Sequence, residues 1–318
     1  MQIGVWSDGI FRSFPLDGLK TGFDGPTWFD ITDPQVVDLE RIADTLDVPR
    51  NVLLGRLRSN HSHVDALPNY TKIFAWHLDW LGDEKGHSFE RTPAIVLINR
   101  SGVITISKSQ SNLGERISKD MGDKSLASLS IHARVTYIFM KYLLESYERL
   151  TEHFEVTTER LEEAIPPWPR QFYSSTFAIK KEASKLLRLT KHLSPMVEAL
   201  SRGNLYTKFT DEERMVFDGL YERAVGAEET MEVALDTMRD LINLHLDMVS
   251  YGMNRGMRLL AAITVIVGVS TVVAALFGMN LVDIPQLPLN FWEVVLLDLI
   301  ASVVMIAIFY SKGWLVEK

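Results

Sequence analysis

Residues 259–277 and 291–310 are nearly pure hydrocarbon, and this constrains the chain more than any other feature. A hydrocarbon layer of about 30 Å is crossed by about 20 helical residues, a length each run supplies. Arg255 and Arg258 precede the first run, Lys312 and Lys318 follow the second, and no Lys or Arg lies between Leu259 and Ser311. The positive-inside rule then predicts a multi-pass protein of the inner or plasma membrane, with residues 278–290 as a short outer loop and both termini cytosolic. The first 22 residues, which lack a basic start and an apolar h-region, agree with a cytosolic amino terminus.

The remainder is a large aqueous part. The 318 residues include no cysteine, which removes disulfide frameworks, thiolate metal sites and cysteine nucleophiles together. A formal charge of -8, without a clustered basic segment, argues against a nucleic-acid partner. Residues 3–6, 27–31, 71–80, 94–99 and 102–107 are β-prone, with Arg100, Ser101 and Gly102 as a hairpin turn. Asp33 and Pro34 read as the start of a helix that repeats Leu39, Ile42, Ala43 and Leu46. From about Leu126 the pattern is helical: residues 131–164 form one helix, ended by Pro166, Pro167 and Pro169, and residues 172–200 a second. No proline lies between Pro195 and Pro285, so a helix opening near Thr210 or Asp211, with Glu213 placed for a capping box, can run to Phe277. That is roughly 67 residues, or about 100 Å, too long for a compact domain. The expected organisation is a cytosolic α/β domain over 1–130, a helical stalk over 131–257 and a transmembrane domain over 258–318. The last comprises spans 258–277 and 291–310, the outer loop 278–290 and a cytosolic tail 311–318.

Along the long helix, steps of seven give Asn243, Ser250, Met257, Thr264 and Thr271, and the row four residues on gives Asp247, Asn254, Ala261, Gly268 and Ala275. The two rows share one face, and apart from Met257 every member is small or polar. Small residues at this spacing also let membrane helices pack closely. The stripe continues below the membrane as Asn243, Asp247, Ser250 and Asn254, where a packing seam in water would be apolar. A lining with hydroxyl and carboxamide groups but no charge within the membrane suits a hydrated cation, and Mg²⁺ dehydrates reluctantly. Met257 and Leu260 would form an apolar constriction able to close by dewetting. Two spans cannot enclose a pathway, so transport requires several copies around an axis.

The first span ends in Gly278, Met279 and Asn280, followed by a short loop and a second span. This resembles the CorA family of divalent-cation transport proteins, whose signature is Gly-Met-Asn at the outer end of the penultimate membrane helix. Asn254, Met257, Arg258 and Leu260 resemble that family's stretch entering the membrane, residues 28–34 its early Trp and Asp-Pro region, and residues 312–315 its basic Trp-Leu ending. The resemblance implies a homopentamer in membrane lipid, with a cytosolic α/β domain, a pore-lining stalk helix and an outer ring of second helices. It implies that Asn280 binds the hydrated ion at the outer mouth, with Thr271, Gly268, Leu260, Met257, Asn254 and Asn243 lining the pore below. Val269 stands where the family commonly has proline, and Ile284 followed by Pro285 resembles the zinc-transporting ZntB branch.

Asp283 can form a carboxylate ring at the mouth or be a solvated loop residue; Glu293 lies near the outer interface; Asp298 lies roughly two turns inside the second span. Asp211, Glu212, Glu213, Asp218, Glu222, Glu228, Glu229, Glu232, Asp236 and Asp240 form a carboxylate-rich approach that reads either as a solvated face or as regulatory cation sites. His61 and His63 could pair on a strand, without an evident third metal ligand, and His245 reads as an ordinary stalk residue. No Walker loop, dinucleotide fingerprint or nucleophile elbow is present, so the chain is not read as an enzyme. The expectation is a passive, potential-driven channel for Mg²⁺, with Co²⁺ and Ni²⁺ as further ions. Mg²⁺ is then both cargo and regulatory ion, and no cofactor is required. The alternatives are a ZntB-like zinc transporter, proton-linked through Asp298, and a membrane-anchored oligomeric sensor without transport.

Overall fold

The computed structural model describes residues 2–7, 9–15, 26–45, 48–54, 60–81, 87–100, 102–164, 171–202, 205–206, 209–279 and 290–315. It contains two compact units, residues 1–241 and 242–318, and one helix contributes to both.

The first unit is built on a seven-stranded sheet in the order β2-β1-β3-β7-β6-β5-β4, formed by β1 (Gln2–Ser7), β2 (Ile10–Pro15), β3 (Thr27–Thr32), β4 (His63–Leu67), β5 (Tyr70–Trp80), β6 (Phe89–Asn99) and β7 (Gly102–Ser107). Only β3 and β7 pair in parallel, and β4 to β7 follow one another as an antiparallel meander. The centre of the sheet is buried on both faces: Thr71 to Leu78 of β5 and all of β7 are continuously enclosed. The short helices α1 (Val36–Thr45) and α2 (Arg50–Leu54) follow β3, and buried Lys72 on β5 reaches the Val52 carbonyl at 2.9 Å. Gly102 is required by close approach, since a Cβ there would lie 1.8 Å from the Thr27 carbonyl oxygen.

Within residues 28–34, Trp28 is fully buried and its Nε1 donates to Thr105 Oγ1 at 2.9 Å, while Thr105 donates to Asp30 Oδ1 at 2.7 Å. Burial pushes the Asp30 carboxyl up against the opposing hydrogen bonds from Thr105 and Thr32. Asp33 is not at the start of α1 as expected: it takes φ 50°, its N–H donates to Ser107 O, and the helix opens at Val36. The left-handed turn, which Asp tolerates, lets the chain leave β3 while still bonded to β7.

The helices that follow are α3 (Leu113–Asp120), α4 (Ile131–Glu163), α5 (Phe172–Thr190), α6 (Leu193–Arg202), α7 (Asp211–Gly278) and α8 (Phe291–Ser311). The single helix expected over 172–200 is two, broken at Lys191 and His192. Pro195 has no N–H for the Lys191 carbonyl and its ring would clash there, so it is accommodated only in the first turn of a new helix. Helix α7 is continuous over 68 residues, about 100 Å of rise. Within the first unit it buries Phe217, Leu220, Ala224, Met231, Leu235 and Met238, and Arg223 donates from Nε and Nη2 to the two carboxylate oxygens of Glu148 of α4 at 2.8 and 2.6 Å.

Glu213 ties two helix starts together. Glu213 N donates to Thr210 Oγ1 at 3.2 Å and Thr210 N donates to Glu213 Oε2 at 2.9 Å, the expected capping box. The other carboxylate oxygen accepts from Ser130 N, the N-cap of α4, at 2.8 Å. Helix α4 has Ala133 where its own capping box would need an acid, so α7 supplies the missing carboxylate. Burial pushes the Glu213 carboxyl up, but the bonds from Ser130 and Thr210 outweigh it and its pKa lies below the usual glutamate value. A depressed pKa adds stability that is complete above the unfolded value and is lost as pH falls through the folded one. Glu213→Ala is expected to lower stability by about 2 kcal/mol at neutral pH, read as a lower Tm in detergent. The gap from the unmodified protein should begin to narrow as pH falls below the unfolded glutamate value and go on narrowing through the lower folded one.

Candidate functional site

Among the described residues two helical segments are long and apolar enough to cross a membrane, the last part of α7 and all of α8, and both lie in the second unit. In lipid no water satisfies backbone polar groups, so an unbroken helical ladder is the form such a segment must take. Helix α8 starts with Asn290 N donating to Glu293 Oε2 at 2.8 Å, which gives Glu293 a capping role at a helix N-terminus. At the other end, Trp314 stacks on Phe309 with ring centroids 5.4 Å apart.

The burial pattern of α7 identifies the face turned toward α8. Ala262 is fully buried and Ile266, Val269, Ser270 and Val273 are half-buried, while Ser270 Oγ meets Ser302 Oγ of α8 at 3.2 Å. The polar stripe lies elsewhere. Asn243, Asp247, Ser250, Asn254, Met257, Leu260, Ala261, Thr264, Gly268, Thr271 and Ala275 are all exposed in the single chain. At about 100° per residue, the centre of the membrane part of the stripe is roughly 180° around α7 from the centre of the α8-facing residues. Among the described residues nothing requires glycine at 268, since a Cβ there meets no atom within 4 Å. Thr264 and Thr271 donate their hydroxyls to the carbonyls of Leu260 and Val267, which lowers the cost of carrying them in an apolar span. Gly278 closes α7 and Met279 is exposed; Asn280 and Asp283 lie outside the described residues.

Asp298 is on the other side of α7 from the stripe. With Val294, Ala301, Ser302, Met305 and Phe309 it forms the half-buried face of α8, and it borders a cavity that also touches Ser270, Val273 and Phe277. Its Oδ1 is enclosed there without a hydrogen-bond partner among the described residues.

Of the acids on the approach to the membrane, several are occupied within the chain. Glu213 joins the two caps, Glu228 accepts from Ser194 at 3.3 Å, Glu232 pairs with Lys191 at 2.6 Å and Asp236 pairs with Arg239. Glu229 differs, because it lines a groove between α4 and α7 together with Glu155, Glu159 and Glu162. His61 and His63 have ring centroids 5.8 Å apart, and the fold adds His192, stacked on His61 at 4.7 Å. The sequence also concealed a contact between His87 Nδ1 and His153 Nε2 at 2.9 Å, between residues 66 positions apart. Among the described residues no group of three or more His, Asp or Glu side chains is arranged to hold a metal ion.

A family model described as "CorA-like Mg2+ transporter protein" matches residues 23–312. The chain belongs to this CorA family. It is therefore a member of a family of divalent-cation transporters rather than of enzymes. The cobalt/magnesium transport protein CorA of Thermotoga maritima is 23% identical over 300 residues, covering 91% of this chain and 84% of that protein. Among solved structures, the CorA magnesium transporter from Methanocaldococcus jannaschii aligns with a TM-score of 0.79 at 18% identity, over 99% of this chain and 98% of that one. The ZntB cytoplasmic domain from Vibrio parahaemolyticus aligns with a TM-score of 0.63 at 10% identity, over 79% of this chain and 98% of that one. At such identities the structural likeness is one of fold: a soluble α/β domain, a long helix and two membrane helices in the CorA arrangement.

The absence of cysteine makes the stripe directly testable by single cysteine substitution. In lipid vesicles, Thr264→Cys and Thr271→Cys are expected to react with a charged, water-soluble methanethiosulfonate at least about tenfold faster than Val265→Cys and Val272→Cys, because thiolate forms in water and not in lipid. Equal rates on the two faces would mean that the stripe is not water-lined.

Proposed function

We propose that the chain forms a homopentameric, passive, potential-driven channel for divalent cations, with Mg²⁺ as its principal ion, Co²⁺ and Ni²⁺ as further ions, and both termini in the cytosol. The observation that carries this reading is the position of the small and polar stripe of α7, whose membrane part is on the face opposite α8 and which is exposed throughout among the described residues. Five copies with that face inward would enclose a column of hydroxyls, carboxamides and water, with the α8 helices outside. Exposed Leu244, Leu246, Met248, Val249, Tyr251 and Met253 beside the stripe support close association of neighbouring copies below the membrane.

A hydrated Mg²⁺ can be handled by such a lining without exchange of its inner waters, because the ion dehydrates reluctantly and prefers oxygen. Asn280, after Gly278 and Met279, would hold the hydrated ion at the outer mouth, with Asp283 nearby to raise the local cation concentration. Thr271, Gly268, Thr264, Ala261, Asn254, Ser250, Asp247 and Asn243 would continue the path, with Ala275 near its top. Rings of Met257 and Leu260, both about two-thirds exposed in the single chain, would form the constriction that closes by dewetting. The membrane potential favours inward movement of a divalent ion by about 4.6 kcal/mol per 100 mV, so no chemical fuel is required.

Regulation by cytosolic cations belongs in this reading at the groove lined by Glu155, Glu159, Glu162 and Glu229, whose negative charge would attract cations although no three of these acids are arranged in the single chain to hold one. Replacing Glu159 and Glu229 together with Gln should raise the Mg²⁺ concentration needed to inhibit flux; unchanged inhibition would remove these acids from the sensor.

The decisive measurement is fluorescence-detected flux of Mg²⁺, Co²⁺, Ni²⁺ and Zn²⁺ into vesicles. Asn280→Ala is expected to abolish Mg²⁺ flux, and flux at the normal rate would refute the role of the mouth. Zinc uptake that depends on a pH gradient and disappears in Asp298→Asn would replace this reading with a proton-linked zinc transporter. A folded pentamer without cation flux would leave an anchored sensor.

A further inference from the structure

The corner between α5 and α6, the free end of β6 and the segment before β4 enclose a cleft of about 570 Å³ in the first unit. Its charge is opposite to that of the molecule. Arg91, Lys185 and Arg188 converge on it against a single carboxylate, Glu182, in a chain with 41 acidic and 33 basic residues. Glu182 is taken by Lys185 at 2.6 Å. Arg188 is exposed and has no ion-pair partner among the described residues; Arg91 likewise has no carboxylate partner there and lies over the Trp76 ring at 4.6 Å. Two guanidinium groups thus face one cleft with their hydrogen-bonding forks available, the geometry that suits a phosphate group.

The remaining wall is aromatic. The rings of His61 and His192 stack at 4.7 Å with 28° between their planes, and Phe89 lines the same cleft. Burial, and then His61 beside it, lowers the pKa of His192, so that imidazole is neutral near pH 7 and presents a flat polar ring. The volume falls in the range of sites for organic ligands and greatly exceeds what inorganic phosphate fills. We propose that this cleft binds a small organic phosphate of nucleoside-monophosphate size, with the phosphate on Arg91 and Arg188 and its planar ring against His61, His192 and Phe89. The cleft lies away from the membrane helices in sequence and does not depend on the transport reading.

Calorimetric titration of the full-length protein in detergent, at a fixed Mg²⁺ concentration, tests this with AMP, adenosine and inorganic phosphate as probes. AMP carries little Mg²⁺ itself, so the acidic groove does not report. AMP is expected to bind, with adenosine at least about tenfold weaker, and affinity should fall as salt rises. Arg188→Ala and Arg91→Ala should each weaken AMP about tenfold or more with Tm unchanged, while Arg239→Ala, a cation outside the cleft, should leave it unchanged. Absence of AMP binding, or cleft variants that bind AMP as tightly as the unmodified protein, would overturn the proposal. Phosphate binding as tightly as AMP with the same arginine dependence would support the anion site and overturn the aromatic half of it.

Discussion

The backbone ladder of α7 is the constraint on which the rest depends. One hydrogen-bonded helix from Asp211 to Gly278 serves two solvents, and its side chains change with its surroundings while its backbone does not. Up to Leu241 and Ile242 the helix buries apolar residues at three- and four-residue spacing against its own chain; from Asn243 to Ala261 every residue except His245 is exposed. Most of a helix's stability in a protein comes from packing of an apolar face rather than from propensity. In the proposed assembly the uncovered stretch would pack against other copies of the chain on one side and meet lipid further along. The pentamer proposed here would provide both with one rotation axis.

Charge is distributed with the same economy. Glu213 is one residue in a run of acids that invites a regulatory reading, yet the structure uses it to close two helix N-termini whose amides would otherwise be unpaired. Glu228, Glu232 and Asp236 are likewise held by neighbours, which leaves the glutamates between α4 and α7 as the place where negative charge accumulates. The cleft at the α5–α6 corner accumulates the opposite charge in the same unit. A net charge of -8 describes neither of them, because function follows the local potential.

The strands readable in the sequence are the central ones. Both strands that it concealed, β2 and β4, are the edges of the sheet, half-solvated and without a continuous apolar run. The early part of β6 was hidden by Glu90, Arg91 and Pro93, residues typical of a loop. There β6 pairs with β5 alone, since its ladder with β7 begins only at Ile95, so Pro93 can present its missing N–H to the unpaired side. The break between α5 and α6 was signalled by Pro195 but placed by the i to i−4 rule, which points back to Lys191.

Sequence alone determined the two spans, the long helix with its Thr210–Glu213 cap, the stripe at heptad spacing and the family, because each is a local pattern in hydrocarbon content, period or motif. Tertiary structure decided which way the stripe faces, since the burial of one side of α7 and the Ser270–Ser302 contact identify the side that α8 occupies. It also decided which acids are spent on structure, where Asp298 sits, and that His61, Arg91, Arg188 and His192 line one cleft. Those groupings join residues tens to more than a hundred positions apart, and no local periodicity encodes the docking of a strand end against a helix corner.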